Sequence, residues 1–161
     1  MNTSSSGNLI IYLSLLIAMC LSIAPWPNPL ATLMPSWTLL AFMYWNIALP
    51  HKVSVGTGFI TGLLFDTLIG STLGQNALIF SIASFLSHKM YSRLRNYRVW
   101  QQAYFVLLFF LIMKLLSLWI SRSTHYFEAG YSYWAQALVS AIIWPFVFSS
   151  LRLIRRRFRV Q

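Results

Sequence analysis

The sequence predicts an all-α protein: a polytopic membrane bundle of about six transmembrane helices with both termini in the cytoplasm. The chain has 161 residues, of which 58% are hydrophobic and only 9% charged, too few to cover the surface of a soluble domain. Ten of its twelve basic residues fall in the second and fourth gaps between apolar stretches or after the last one. Short loops rich in Lys and Arg stay in the cytoplasm, so this alternation predicts that the basic segments all lie on the cytoplasmic side of a membrane.

A single integral-membrane domain is expected over residues 1–161, because the spans leave no room for a soluble module. In chain order the spans are predicted at 9–24, 30–49, 53–70, 73–88, 99–121 and 133–151, followed by a basic cytoplasmic tail at 152–161. Several are shorter than the roughly 20 residues that cross a typical hydrocarbon core. We therefore expect local thinning of the bilayer or shelter by neighbouring helices.

The first two spans contain packing signals. Ser14, Ala18 and Ser22 recur every four residues in the first span, which predicts a stripe of small residues that packs against another helix, of this chain in preference to a partner protein. This segment lacks a charged leading region, so we expect an uncleaved span and not a signal peptide. The second span is predicted to hold Pro35 in its first turns and to bury Trp45.

The third span is the most informative segment. Five of the seven glycines lie between positions 56 and 74. A repeat of four residues aligns small side chains and one acid along a single helix face, which we predict to be a partner or pocket face: Gly58, Gly62, Asp66 and Gly70. An ionised carboxylate at membrane depth costs at least roughly 2.5–3.5 kcal/mol on insertion scales, so Asp66 is expected to point into the bundle.

The fifth span contains Lys114, which is the only basic residue inside a predicted span. If the third and fifth helices are neighbours, Asp66 and Lys114 form an intramembrane ion pair. The alternatives are a Lys114 that extends towards the membrane surface beside a protonated Asp66, a pocket for a ligand or partner, and proton coupling. A proton relay usually needs more ionisable groups at depth than these two.

Basic side chains follow the fourth and sixth spans. Their place at span ends favours contacts with anionic lipid or with a cytoplasmic partner, and argues against nucleic acid. In the sixth span itself, Trp144 lies deep enough to pack inside. The predicted contact residues are Lys89, Arg93, Arg95, Arg98, Arg152, Arg155, Arg156, Arg157 and Arg159.

Catalytic chemistry finds little support in the sequence. None of the three histidines is spaced with a second His, Cys or carboxylate as a metal site requires, and we expect no metal and no cofactor. There is no nucleophile elbow, no phosphate-cradling glycine loop and no pair of neighbouring carboxylates. The sequence therefore predicts a protein that is not an enzyme.

Residues 56–74, together with residues 48–55 before them, resemble the signature of the MreD family of bacterial rod shape-determining proteins. The resemblance covers essentially the whole chain. Supporting matches are Pro25-Trp26-Pro27, Tyr44-Trp45, Trp100-Gln101-Gln102-Ala103 and Trp144-Pro145 before the basic tail.

The resemblance implies a non-enzymatic inner-membrane subunit of the cell-elongation machinery, needed for rod shape and lateral peptidoglycan synthesis. Such a subunit binds MreC and through it reaches MreB, RodA and an elongation penicillin-binding protein. We expect MreC to engage the glycine face around Asp66, while the basic surface contacts membrane lipid.

The resemblance also implies a fold similar to the substrate-binding subunits of energy-coupling-factor transporters, which have six helices and an outward-facing pocket. The alternative function is therefore a small-solute-binding subunit of a membrane transporter. A free-standing membrane sensor or lipid-binding protein is a third reading.

Overall fold

The structure, a computed structural model, describes residues 3–27, 33–124 and 130–158. Over these residues the chain forms helices and no strand, which confirms the predicted all-α class. The described helices are α1 (Thr3–Ile23), α2 (Trp37–Ala48), α3 (Val55–Ile69), α4 (Gln75–Asn96), α5 (Val99–Thr124) and α6 (Tyr131–Arg157).

Consecutive helices run in opposite directions. In the first pair, Trp45 Nε1 donates a hydrogen bond of 2.7 Å to Ser14 Oγ, and the hydroxyls of Ser22 and Thr38 lie 2.9 Å apart. The late part of α1 thus meets the early part of α2. The small-residue stripe of α1 packs within the chain, as predicted.

Alternate helices are therefore parallel, and the bundle has two chemically different ends. The ends of α2, α4 and α6 lie together, because Ala48, Tyr97 and Arg155 line one cavity. We call this end the basic end, after the arginines that lie there. The opposite end, where α1, α3 and α5 finish, is called the distal end.

The short helix α2 is the centre of the bundle. All ten of its residues from Thr38 to Ile47 are buried, and it packs against α1, α4 and α6. A helix that is hydrophobic on every side is stable only when other elements enclose it. Trp45 is fully buried, as predicted, and so is Trp144 on α6.

Glycines let α3 and α4 approach each other closely. A Cβ at Gly62 would lie 2.5 Å from Ala77 Cα and 2.5 Å from the Asn76 carbonyl oxygen. A Cβ at Gly58 would lie 2.9 Å from the Phe80 carbonyl oxygen. Both contacts are with backbone atoms, so a larger residue would push the helices apart.

The start of α2 differs from the sequence prediction, which placed Pro35 inside the second span. The helix begins at Trp37, and residues 34–36 are not helical. Steric conflict with a proline ring disfavours the α conformation at the preceding residue, so a helix cannot run smoothly through Met34. Residues 28–32 of that predicted span lie outside the described residues.

Four helices extend beyond the predicted spans. Helix α1 begins at Thr3, six residues before the expected start, while α4 continues to Asn96, α5 to Thr124 and α6 to Arg157. The basic residues predicted to follow the fourth and sixth spans are thus mostly helical. Arg and Lys are good helix formers, and cations near a helix C-terminus interact favourably with its dipole.

The outer surface of the bundle is apolar. Two described helical segments, Val99–Ile120 and Tyr131–Arg157, are long and apolar enough to cross a membrane, and Gly7–Ile23 and Val55–Ile69 are shorter apolar segments. Exposed side chains on α3 include Phe59, Ile60 and Leu64. Continuous apolar surface of this kind is a property of faces that contact lipid or other proteins.

Replacing Gly62 with Ala should lower the free energy of unfolding by about 1–3 kcal/mol, because its methyl group would overlap the α4 backbone. Gly56→Ala is the matched control, since its Cβ would meet only Ser54 Oγ at 3.7 Å. The control should be neutral or stabilising by up to about 1 kcal/mol. Thermal unfolding of the detergent-purified protein measures both, and equal melting temperatures for the two variants would contradict the α3–α4 packing.

Candidate functional site

A cavity of about 420 Å³ opens at the distal end, and residues from all six helices line it. We call it the distal cavity. Its apolar wall includes Phe65, Phe80, Phe110 and Met113. Its polar lining includes Ser71, Gln75, Asn76, Lys114, Ser117 and Gln136.

Asp66 fixes the turn between α3 and α4 that borders this cavity. Its fully buried carboxylate accepts five hydrogen bonds from the residues that follow α3. Oδ1 accepts from Ser71 Oγ at 2.6 Å and from the Asn76 backbone N–H and side-chain Nδ2 at 3.0 and 2.9 Å. Oδ2 accepts from the backbone N–H groups of Gly74 at 3.0 Å and Ala77 at 3.3 Å.

These bonds make Asp66 the N-terminal cap of α4. The first N–H groups of a helix have no partner within the helix, and Gly74, at the capping position, has no side chain to supply one. A carboxylate at a helix N-terminus also interacts favourably with the helix dipole. Asp66 is therefore stabilised inside the bundle without a cation.

Gly70 has a different function from the other members of the predicted face. It ends α3 in the left-handed conformation, with φ of 66°, and a Cβ there would meet nothing within 4 Å. Glycine adopts this conformation without the steric cost that other residues incur. Gly70 therefore lets the chain turn back towards α4 and is not part of a packing face, which corrects the sequence-based prediction.

The remaining glycine face is occupied within the chain. Gly58, Gly62 and Asp66 all face α4, so the predicted partner or pocket face is an internal helix–helix contact. A spacing of four residues indicates close approach of a helix, but it does not identify which helix approaches. A partner protein cannot use this face while α4 occupies it.

Lys114 contacts α6 and not Asp66. Its Nζ donates to Gln136 Oε1 and lies 3.9 Å from the centre of the Tyr133 ring, a cation–π contact. Asp66 and Lys114 are both among the described residues, and each has other partners, so the predicted ion pair is not formed. The backbone N–H groups at the start of α4, which donate to the Asp66 carboxylate, take the place of the expected cation.

The distal cavity is also lined by polar residues that were not predicted from the sequence to belong to a site. Gln136 Nε2 donates to the Met34 carbonyl oxygen at 2.7 Å, and Gln75 Nε2 donates to Ser117 Oγ at 2.7 Å. Gln136 lies within the predicted sixth span, where an amide at membrane depth needs partners. Its position was therefore a usable signal, because polar groups inside spans usually face the bundle interior.

The predicted lipid or partner contacts collect near the basic end. Arg98 precedes α5, Lys89 and Arg93 lie on the last turns of α4, and Arg152, Arg155, Arg156 and Arg157 lie on the last turns of α6. All of these side chains are exposed except that of Arg155, which is half-buried. The Arg95 side chain and Arg159 lie outside the described part of the structure.

Metal-binding chemistry finds no support over residues 3–27, 33–124 and 130–158, where no group of three or more His, Cys, Asp or Glu side chains could hold an ion. His88 Nε2 forms a hydrogen bond of 2.7 Å with the Val53 carbonyl oxygen, and Cys20 is an exposed thiol. His125 and Glu128 lie outside the described residues.

Replacing Asp66 with Asn should lower the free energy of unfolding by about 2–3 kcal/mol, because an amide cannot accept all five hydrogen bonds and carries no charge for the α4 dipole. Thr67→Val is the control, since the exposed Thr67 hydroxyl bonds only the carbonyl of Leu64 within its own helix. Denaturation of the purified protein gives both values. An Asp66→Asn variant as stable as the control would disprove the cap.

Comparison with known proteins gives a consistent result. A family profile described as "rod shape-determining protein MreD" matches residues 3–154. A protein of Haemophilus influenzae named "Rod shape-determining protein MreD" is 38% identical over 148 residues, which are 90% of this chain and 90% of that protein. No solved structure matches the chain.

The match covers the glycine-rich third helix, the Asp66 cap and all six described helices, and the similarity extends over nearly the full length of the relative. The family consists of shape-determining membrane proteins and not of enzymes. The chain therefore belongs to the MreD family of rod shape-determining proteins.

Proposed function

We propose that the protein is a multi-pass subunit of the bacterial inner membrane that supports cell elongation and lateral peptidoglycan synthesis. In this proposal six helices span the membrane and both termini are cytoplasmic. The alternating helix directions support it, because they bring Lys52, Arg98 and the arginines of α6 to one end. Short basic segments favour the cytoplasmic side.

The protein acts by binding MreC and thereby helps to assemble MreB, RodA and an elongation penicillin-binding protein. Family membership is the observation that carries this proposal. Because α4 covers the glycine face, the proposed MreC interface lies elsewhere on the protein. The distal cavity becomes the better site, because several helices present polar groups to one opening there.

Lys114 supplies the charged hydrogen-bond donor of this proposed interface. The half-buried ammonium group has one hydrogen-bond partner among the described residues, Gln136, although it can donate three bonds. No carboxylate contacts it in the described part of the chain. A carboxylate or carbonyl oxygen of MreC at the distal cavity would supply the missing acceptor, and a charge-assisted bond at such a site is strong.

A small-solute-binding subunit of a transporter is the second candidate. A cavity of about 420 Å³ with both aromatic and polar walls has the size and lining of a small-molecule site. The fold similarity to energy-coupling-factor subunits, which is expected from the family resemblance alone, would favour the same reading. This candidate also uses Lys114, but its acceptor would belong to a solute.

Replacing Lys114 with Gln in a strain depleted of the chromosomal protein should lower the MreC that co-purifies by roughly tenfold, the loss expected for one charge-assisted hydrogen bond. The cells should widen. Lys52→Gln is the matched control, because it removes the same charge from a position that is also half-buried but lies at the other end of the bundle.

Both variants must reach wild-type amounts in the membrane for the comparison to hold. Unchanged MreC recovery and cell width with Lys114→Gln would contradict binding at the distal cavity. Depletion that leaves rods at normal width but makes growth depend on a supplied nutrient would overturn the elongation function and support solute binding.

A further inference from the structure

A second cavity, of about 520 Å³, lies at the basic end, between the ends of α2 and α6 and the turn from α4 to α5. We call it the basal cavity. The functions discussed above do not use it. Its polar and aromatic lining includes Tyr44, Arg98, Gln102, Phe148, Arg152 and Arg155.

Two buried polar atoms on the wall of this cavity have no partner among the described residues. Tyr44 is 1% exposed and Gln102 is 3% exposed, yet the Tyr44 hydroxyl and Gln102 Oε1 make no hydrogen bond. Gln102 Nε2 donates to the carbonyl oxygens of Leu94 at 2.8 Å and Tyr97 at 3.3 Å, which fixes the orientation of the amide. Buried polar atoms are rarely left unpaired, because this forfeits their hydration without compensation.

The charge around the cavity is also unbalanced. Arg98, Arg152 and Arg155 contribute three guanidinium groups. Among the described residues, the one hydrogen bond that these groups make is from Arg155 Nη1 to the Ala48 carbonyl oxygen, at 3.4 Å. The chain has only two acids. Asp66 is bound at the distal end, and no carboxylate among the described residues pairs with this cluster.

We propose that the basal cavity binds a phosphate-bearing anion, with Arg98, Arg152 and Arg155 around the phosphate and the Tyr44 hydroxyl donating to it. One guanidinium group can donate two parallel hydrogen bonds to two oxygens of a phosphate. Its planar geometry therefore fits a phosphate better than an ammonium group does. Gln102 Oε1 then accepts from a hydroxyl next to the phosphate. This inference does not depend on the proposed function.

Two sources provide this chemistry: the headgroup of an anionic phospholipid and a soluble phosphate ester. The glycerol headgroup of phosphatidylglycerol carries both the phosphate and the neighbouring hydroxyls. The cavity lies at the end of the bundle that the positive-inside rule assigns to the cytoplasmic leaflet, where such lipids attract basic groups.

Thermal unfolding of the full chain, purified in a neutral detergent, tests the proposal with three probes. Dihexanoyl phosphatidylglycerol should raise the melting temperature of the wild type by several degrees, because ligands of the native state stabilise it. Dihexanoyl phosphatidylcholine, whose choline neutralises the phosphate charge, should have little effect. Inorganic phosphate that is as effective as phosphatidylglycerol would identify a soluble phosphate as the source.

Variants show whether the effect comes from the basal cavity. Arg155→Gln should abolish the shift, and Tyr44→Phe, which removes only the hydroxyl, should weaken binding by about tenfold. Lys52→Gln removes one positive charge at the same end of the bundle from a residue that does not line the cavity, and it should respond like the wild type. Should phosphatidylcholine act equally, or should Arg155→Gln and Tyr44→Phe respond like Lys52→Gln, the site is disproved.

Discussion

The hydrogen bonds of the Asp66 carboxylate are the interaction on which the rest of the bundle depends. They tie the end of α3 to the start of α4, where the two backbones are closest, at Gly62. Helix α4 then packs on the central helix α2, for example through the Phe42 and Phe80 rings, whose centres are 5.0 Å apart. One buried acid thus positions the turn that borders the distal cavity.

Much of this architecture could be predicted from the sequence. The alternating basic gaps indicated helices of alternating direction, and the spacing of Ser14, Ala18 and Ser22 indicated the contact with α2. The burial of Asp66 also followed from its place among apolar residues. Its partners could not be predicted by matching charges, because the atoms that bind Asp66 are mainly backbone N–H groups whose position depends on the turn.

The two ends of the bundle differ in the chemistry they leave unsatisfied. At the distal end, Lys114 lacks a carboxylate among the described residues. At the basic end, three arginines line one cavity with two residues whose buried polar atoms have no partner in the described part of the chain. The middle is closed by packing around α2. This division suits a shape-determining membrane protein that is not an enzyme, since contacts with partners and lipid can form at the ends while the centre stays rigid.

Amide hydrogen exchange at the start of α4 tests the Asp66 cap most directly. In the detergent-purified protein, the N–H groups of Gly74, Asn76 and Ala77 should exchange slowly, because each donates a hydrogen bond to the Asp66 carboxylate. An Asp66→Ala variant should lose this protection at these three amides while the amides of α2 keep theirs. Fast exchange of the three amides in the wild type, or unchanged protection in the variant, would contradict the account.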